Sequence, residues 1–307
     1  MVRVEPEQTQ APVCYRHSKR ETYVRCTRCD RYICPDCMRD AAVGHQCVEC
    51  VREGNKTVRQ ARTVFGGQIS VTPWVTYVLI AINVLAYLGE LVRPGIVGRF
   101  DNLGEALVND QGTHFVIDGH SYPGYHLIGI AQGEWYRLIT SAFLHALPSQ
   151  GFFGISHIVL NMAGLWVLGR LLENLLGWWR YLALYLLCAL GSSVLFFLIA
   201  PLDAALGASG AIFGLAAAYF VFSRRLRQDL AGANRLILTY LVWMVLTAGI
   251  TAWQGHLGGL LTGGLVGLAF AYVPKKQRTF LHLAAAGATL LLLIVLVLLK
   301  TSSLTGS

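Results

Sequence analysis

The chain is short of charge. Only 14% of its 307 residues are Asp, Glu, Lys or Arg, against 54% hydrophobic, and the mean hydropathy is +0.50. A soluble fold of that composition would lack polar surface, so the composition describes a multi-spanning membrane protein. Acidic residues number 17 against 25 basic ones, but the basic residues are dispersed over a cysteine-rich head and short loops. There they suit topology and anionic headgroups, with the lipid bilayer as partner and no nucleic acid expected. The first 60 residues lack a basic stretch followed by an apolar one, so no cleavable signal peptide is expected and the head should stay in the cytosol. Cysteine is nearly absent beyond position 50, and Cys188, alone in an apolar run, reads as core. Paired charges inside the apolar runs are missing apart from Glu90 and Glu173 near helix ends, which argues against a transporter. Repeats and low-complexity tracts are not evident.

What is present begins with seven apolar stretches, against the roughly 20 residues that a span requires. They cover approximately 74–92, 156–176, 180–200, 209–223, 236–253, 256–273 and 280–299. Arg59 and Arg62, Arg170 and Arg180, Arg224, Arg225, Arg227 and Arg235, and Lys275, Lys276 and Arg278 fall on one side when the helices alternate. That side is cytoplasmic by the positive-inside bias, leaving the N-terminus cytoplasmic and the C-terminus extracytoplasmic. The long segment 93–155, with Asp101, Glu105, Asp110, Asp118 and Glu134, falls outside. It is expected to lie partly in the interface, anchored by Trp135, Tyr136 and Phe143.

The head carries four ligand pairs, Cys14-x2-His17, Cys26-x2-Cys29, Cys34-x2-Cys37 and Cys47-x2-Cys50. In a reducing compartment this spacing favours metal over disulfides, and eight ligands are the count for two tetrahedral zinc ions. Interleaved pairing puts Cys14, His17, Cys34 and Cys37 on one ion and Cys26, Cys29, Cys47 and Cys50 on the other, with His45 a ninth candidate. The pattern resembles the B-box type of small zinc module and fits a ubiquitin-ligase RING poorly. Closed sites leave no coordination position for chemistry, so the zinc should be structural. The head is then a docking or regulatory element with a cytosolic protein partner.

Ser209 stands in Gly207-Ala208-Ser209-Gly210, where a short polar turn becomes an apolar helix. A hydroxyl there is a candidate nucleophile, with its own N–H free at the helix start as an oxyanion donor. His256 lies on a helix with Gly255, Gly259 and Gly263, a spacing that lets it approach Gly210 and Gly214 closely. Close approach would bring His256 to Ser209 as base. His157 and Asn161, four apart, share one helix face and both can donate to an oxyanion. No acid is placed to orient His256, so a dyad is expected, with Phe213 able to pack on the imidazole. His145, His157, Asn161 and Ser209 would open a wet cavity to the outer face.

Gly207-Ala208-Ser209-Gly210, His157-x3-Asn161, Trp135-x-Arg137 and His256-x2-Gly259-x3-Gly263 together resemble the motifs of rhomboid intramembrane serine proteases, over roughly residues 74–273. The resemblance implies an all-α polytopic fold: a six-helix core at 73–273 and an added seventh helix at 280–299. Before the core stand a disordered tail (1–12), the zinc module (13–52) and a linker (53–72), and 300–307 form a closing tail. It implies a serine endopeptidase that cleaves transmembrane protein substrates near their outer ends. Ser209 would be nucleophile and His256 general base and then acid, while His157, Asn161 and the Ser209 N–H bind the oxyanion. No cofactor would serve catalysis. Trp135 and Arg137 would stabilise the loop, and the fifth helix would be the side gate. The interval from Ala146 to Ser156 is longer than in that family, which leaves the reach of His145 to the water pocket open. Cysteine heads like this one resemble those of some actinobacterial members, which implies a bacterial inner membrane. The rival reading is a non-enzymatic rhomboid-like protein that binds or escorts membrane helices.

Overall fold

The computed structural model describes residues 11–57, 62–69, 72–109, 114–115 and 123–306. Most of the expected N-terminal tail, Arg59, Asp110 and Asp118 lie outside that set. The chain divides into two units, Met1–Gln60 and Ala61–Ser307.

The first unit has almost no aliphatic material to bury. Its core is Ile33 with Cys14, Cys26, Cys34, Cys37, Cys47 and Cys50, so sulfur takes the place that Leu and Val fill elsewhere. Two short antiparallel pairs present these residues. They are β1 (Val13–Cys14) with β2 (His17–Glu21), and β3 (Met38–Asp40) with β4 (His45–Cys47), followed by α1 (Val48–Thr57). Helix α1 thus runs past residue 52, where the linker was expected to begin.

The second unit is built on long helices, most of them joined by short turns. Pro73 precedes α2 (Trp74–Val92), whose first amides would be orphaned. Glu173 takes them up: its carboxylate accepts from Val75 N at 3.0 Å, Thr76 N at 2.9 Å and the Thr76 hydroxyl at 2.8 Å. A buried acid at one helix end is therefore the cap of another.

Segment 93–155 forms α3 (Gly95–Phe100), β5 (Asn102–Leu103), the antiparallel set β6 (Ala106–Asn109), β7 (His114–Phe115) and β8 (Tyr125–Ile128), and α4 (Arg137–Thr140). Arg137, 2% exposed, holds it together. It pairs with Asp101 and Glu134 at 2.7 Å each and donates to Gly98 O at 3.0 Å. Trp135 and Tyr136 are exposed as expected of anchors, but Phe143 turns inward against Tyr185, ring centroids 6.3 Å apart. Its expected anchoring role is corrected: it packs, half-buried, against the helical core.

The remaining helices are α5 (Phe152–Leu176), α6 (Trp178–Ile199), α7 (Ser209–Leu226), α8 (Leu230–Leu246), α9 (Trp253–Tyr272) and α10 (Arg278–Thr305), with β9 (Ala204–Ala205) pairing β5. Helix α7 packs against α5, α6, α8 and α9, and α10 lies against α6 and α9. Among the described residues five helices, α2, α5, α6, α9 and α10, are long and apolar enough to cross a membrane. Helix α8 has 17 residues, and α7 carries Arg224 and Arg225 in its last turn. The expected fifth span, 236–253, is displaced: α8 starts six residues earlier because Asp229 caps it, accepting from Gly232 N at 3.1 Å. It ends at Leu246, before a non-helical link containing Gly249. Helix α10 runs on to Thr305, through most of the expected closing tail. The chain is a helical multi-pass membrane protein with a small cysteine- and histidine-rich N-terminal unit.

Candidate active site

The contact that builds the site is between backbones. A Cβ on Gly259 would stand 1.8 Å from Gly210 O, and one on Gly263 would stand 2.0 Å from Gly214 O. Only glycine on this face of α9 lets α7 come so near, and the seam starts one turn from His256. The result is a hydrogen bond of 2.9 Å between Ser209 Oγ and His256 Nε2. With the hydroxyl as donor, the imidazole accepts at Nε2 and carries its proton on Nδ1. That Nδ1 is buried and without a partner among the described residues, so no acid orients the ring. Phe213 does instead: its ring is stacked on His256 at 4.3 Å and 6° from parallel, and is itself backed edge-on by Tyr240 at 4.8 Å.

His157 comes from the first turns of α5. Its Nδ1 accepts the Ala146 N–H at 3.2 Å, which leaves Nε2 as the protonated, donating nitrogen. Nε2 faces the serine. Gly207 has φ +121, a conformation open to glycine, and a Cβ there would lie 2.9 Å from His157 Nε2 and 3.6 Å from Ser209 Oγ. Glycine leaves that space free for a substrate oxygen. Asn161 lies one turn on, its Nδ2 donating to His157 O at 2.7 Å and its Oδ1 unpartnered. All four side chains line a cavity of about 1080 Å3, whose polar wall continues through Ser141, Ser192, Ser193 and Asn102. Phe153, Leu160, Tyr240 and Trp243 give its apolar side. Sequence reasoning missed the serine and asparagine wall, because a hydroxyl in an apolar helix is equally a packing residue; the adjacent pair Ser192-Ser193 was the available signal.

His145 is not among the residues lining this cavity. It is fully buried, with Nε2 on Asn83 Oδ1 at 3.1 Å and its backbone N–H on Glu90 at 3.0 Å. It supports α2 from behind, and its expected place in the wet cluster is corrected. Beside the site, the Arg137 network shifts its acids in opposite senses. Burial pushes Asp101 up to about 6 against the pull of Arg137. Glu134 feels burial too, but the bonds from Arg137, Gly129 N and Tyr136 together hold it below the ordinary carboxylate range.

In the N-terminal unit, Cys14, His17, Cys34 and Cys37 gather in one cluster and Cys26, Cys29, Cys47 and Cys50 in another. Within each, the ligand atoms all lie within 4.8 Å of one another. The edges suit a tetrahedron: Cys29 Sγ to Cys47 Sγ is 3.8 Å and His17 Nδ1 to Cys37 Sγ is 3.5 Å. Metal–sulfur bonds of about 2.3 Å give a sulfur–sulfur edge of about 3.8 Å. Backbone amides support the sulfurs, Cys47 N donating to Cys26 Sγ at 3.2 Å and Cys50 N to Cys47 Sγ at 3.3 Å. These eight residues could hold two metal ions. His45 belongs to neither cluster; its Nδ1 lies 3.4 Å from Asp40 Oδ1.

Fold and site thus define a polytopic helical membrane protein with a serine–histidine pair at a polar cavity. The model of the rhomboid domain matches residues 132–273. The chain is 37% identical over 163 residues to the putative rhomboid protease YdcA of Bacillus subtilis (strain 168), covering 51% of this chain and 76% of that protein. It is 36% identical over 151 residues to the rhomboid protease GluP of the same organism, covering 48% of this chain and 28% of GluP. It is 32% identical over 146 residues to inactive rhomboid protein 1 of Homo sapiens, covering 46% and 16%. The chain belongs to the rhomboid family.

Proposed function

We propose that the protein is an intramembrane serine endopeptidase that cleaves transmembrane protein substrates by a Ser209–His256 dyad. The observation that carries this reading is the 2.9 Å hydrogen bond between Ser209 Oγ and His256 Nε2 at a polar cavity. Ser209 Oγ attacks the scissile carbonyl and its proton passes to His256 Nε2. The imidazolium has no carboxylate beside it, and the face of Phe213 stabilises the cation instead. The oxyanion sits in the space beside Gly207, within reach of the His157 Nε2–H, the Asn161 amide and the Ser209 N–H. His256 then protonates the leaving amine, the peptide C–N bond breaks, and water entering along the serine wall hydrolyses the acyl-enzyme.

The division into an N-terminal zinc module, a rhomboid core and an added C-terminal helix belongs to the same reading, with α1 running on to Thr57 and α10 to Thr305, as does zinc in the two N-terminal clusters. The basic residues expected on one side of the membrane support a reading with the head and N-terminus in the cytoplasm and the C-terminus outside the inner membrane. The chemistry of the head suits a structural zinc module that docks a cytosolic protein. Incubation of purified protein in liposomes with a model single-span substrate tests the catalytic assignment. Cleavage should be lost in Ser209→Ala and His256→Ala, and a fluorophosphonate should label wild type only. Absence of cleavage and of labelling in wild type would instead favour the helix-binding role suggested by the relative named inactive.

A further inference from the structure

The end of the bundle away from Ser209 carries cations that the catalytic reading leaves unused. Helices α6 and α10 begin there, as the turn Thr63–Gly67 comes to the end of α5. Arg180, in the first turn of α6, is 2% exposed. Its Nε donates to His282 Nδ1 at 2.9 Å, its Nη2 to Thr279 Oγ1 at 3.3 Å, and its guanidinium lies 4.3 Å above Trp179. His282, fully buried, passes its Nε2–H to Phe270 O at 3.1 Å, so it is a neutral ring and no counter-charge.

Two more arginines converge on the same turn. Arg278 donates through Nη1 to Val64 O at 2.7 Å, and its Nε is buried with no partner. Arg62 reaches Gly66 O at 3.2 Å. Arg180 Nη2 and Arg278 Nη1 each lie 3.5 Å from the single point where Gly66 would carry a Cβ. Among the described residues no carboxylate pairs with any of the three. Glu173, a turn before the end of α5, is already engaged by Val75 and Thr76.

Arg180 is buried, Arg278 half-buried and Arg62 exposed at the mouth of the cluster. A buried guanidinium without an anion is costly, and unused N–H groups in a fork match phosphate oxygens two at a time. The geometry points to a phosphate-binding site formed by Arg62, Arg180 and Arg278 around the Val64–Gly66 turn, which takes the headgroup of an anionic phospholipid. A lipid fits because the cluster sits at helix ends, where a bilayer places its phosphates, and because Trp178 and Phe280 stand exposed beside it for the acyl chains.

The test is lipid binding to the full-length protein in neutral detergent, read by native mass spectrometry, with phosphatidylglycerol, phosphatidylcholine and inorganic phosphate as separate arms. Wild type should retain phosphatidylglycerol at least tenfold more tightly than phosphatidylcholine. The double variant R62Q/R278Q should lose on the order of tenfold in that affinity. Both positions keep their contacts to backbone carbonyls only, so the core around Arg180 is left intact. Arg224→Gln, at the same end of the bundle but outside the cluster, should bind as wild type. Equal binding of the two lipids, an unaffected double variant, or an equal loss in Arg224→Gln would overturn the site. Inorganic phosphate binding as tightly as the lipid would overturn the assignment to a membrane headgroup.

Discussion

The glycine seam between α7 and α9 makes a quantitative demand on one methyl group. In Gly259→Ala the new Cβ would meet Gly210 O at 1.8 Å and Gly210 C at 2.6 Å. A carbon–oxygen contact needs about 3.3 Å, so the two helices must part locally by roughly 1.5 Å. Ser209 immediately precedes Gly210, and His256 lies one turn before Gly259. The opening therefore falls on the 2.9 Å hydrogen bond between them. A misplacement of about 1 Å costs on the order of 100-fold in rate, while overpacking itself costs about 1–3 kcal/mol. Cleavage of a single-span substrate should thus fall about 100-fold or more, with only a modest drop in melting temperature. The control is on the same helix: Gly264→Ala finds only Ala217 Cβ, at 4.0 Å, and should cleave normally. Retention of more than a third of wild-type cleavage by Gly259→Ala, or an equal loss in Gly264→Ala, would refute the seam as the positioning device.

Phe213→Ala removes the face on which His256 rests and should lower kcat about tenfold while leaving a protein that melts cooperatively; unchanged kcat would remove the ring from the mechanism. Arg137→Ala strands the buried Asp101 and should destabilise the fold by about 3–5 kcal/mol, measured by thermal melting in detergent. Asp101 titrates at about 6 when folded, above its ordinary 3.8, so the native state holds the extra proton in that window. Its contribution should favour folding below pH 4 and fade as pH rises to 6, and Asp101→Asn should flatten that slope. Elemental analysis of the whole protein should give two zinc ions per chain, reduced in Cys34→Ser; one ion in wild type would reject the two-cluster scheme.

Much of this was legible because the determining contacts are short in sequence or made by glycine. The Cys and His pairs announce their spacing, and the short spacer between the second and third pairs favours the interleaved grouping that the structure shows. Gly210, Gly214, Gly259 and Gly263 mark the seam, and the seam fixes which histidine meets Ser209. Phe213 on His256 was visible because one helical turn separates Phe213 from Ser209. What stayed hidden depends on partners far apart in the chain. Arg137 finds Asp101 across 36 residues, and His145 finds Asn83 across 62, so neither bond has a local signature. Phe143 reads as an interface anchor because composition does not say which way a ring turns. Helix α8 was displaced since hydropathy weighs Thr247 to Thr251 with their apolar neighbours, while the start is set by a single cap at Asp229.

The bond from the Ala146 amide to His157 Nδ1 means that the tautomer of one site histidine is set by the main chain. Alanine scanning would pass over that group, since every residue but proline supplies the same N–H. The bend leading into α5 thus acts on the site through its backbone, while the buried methyl of Ala146 on the cavity wall limits which side chains the position can carry.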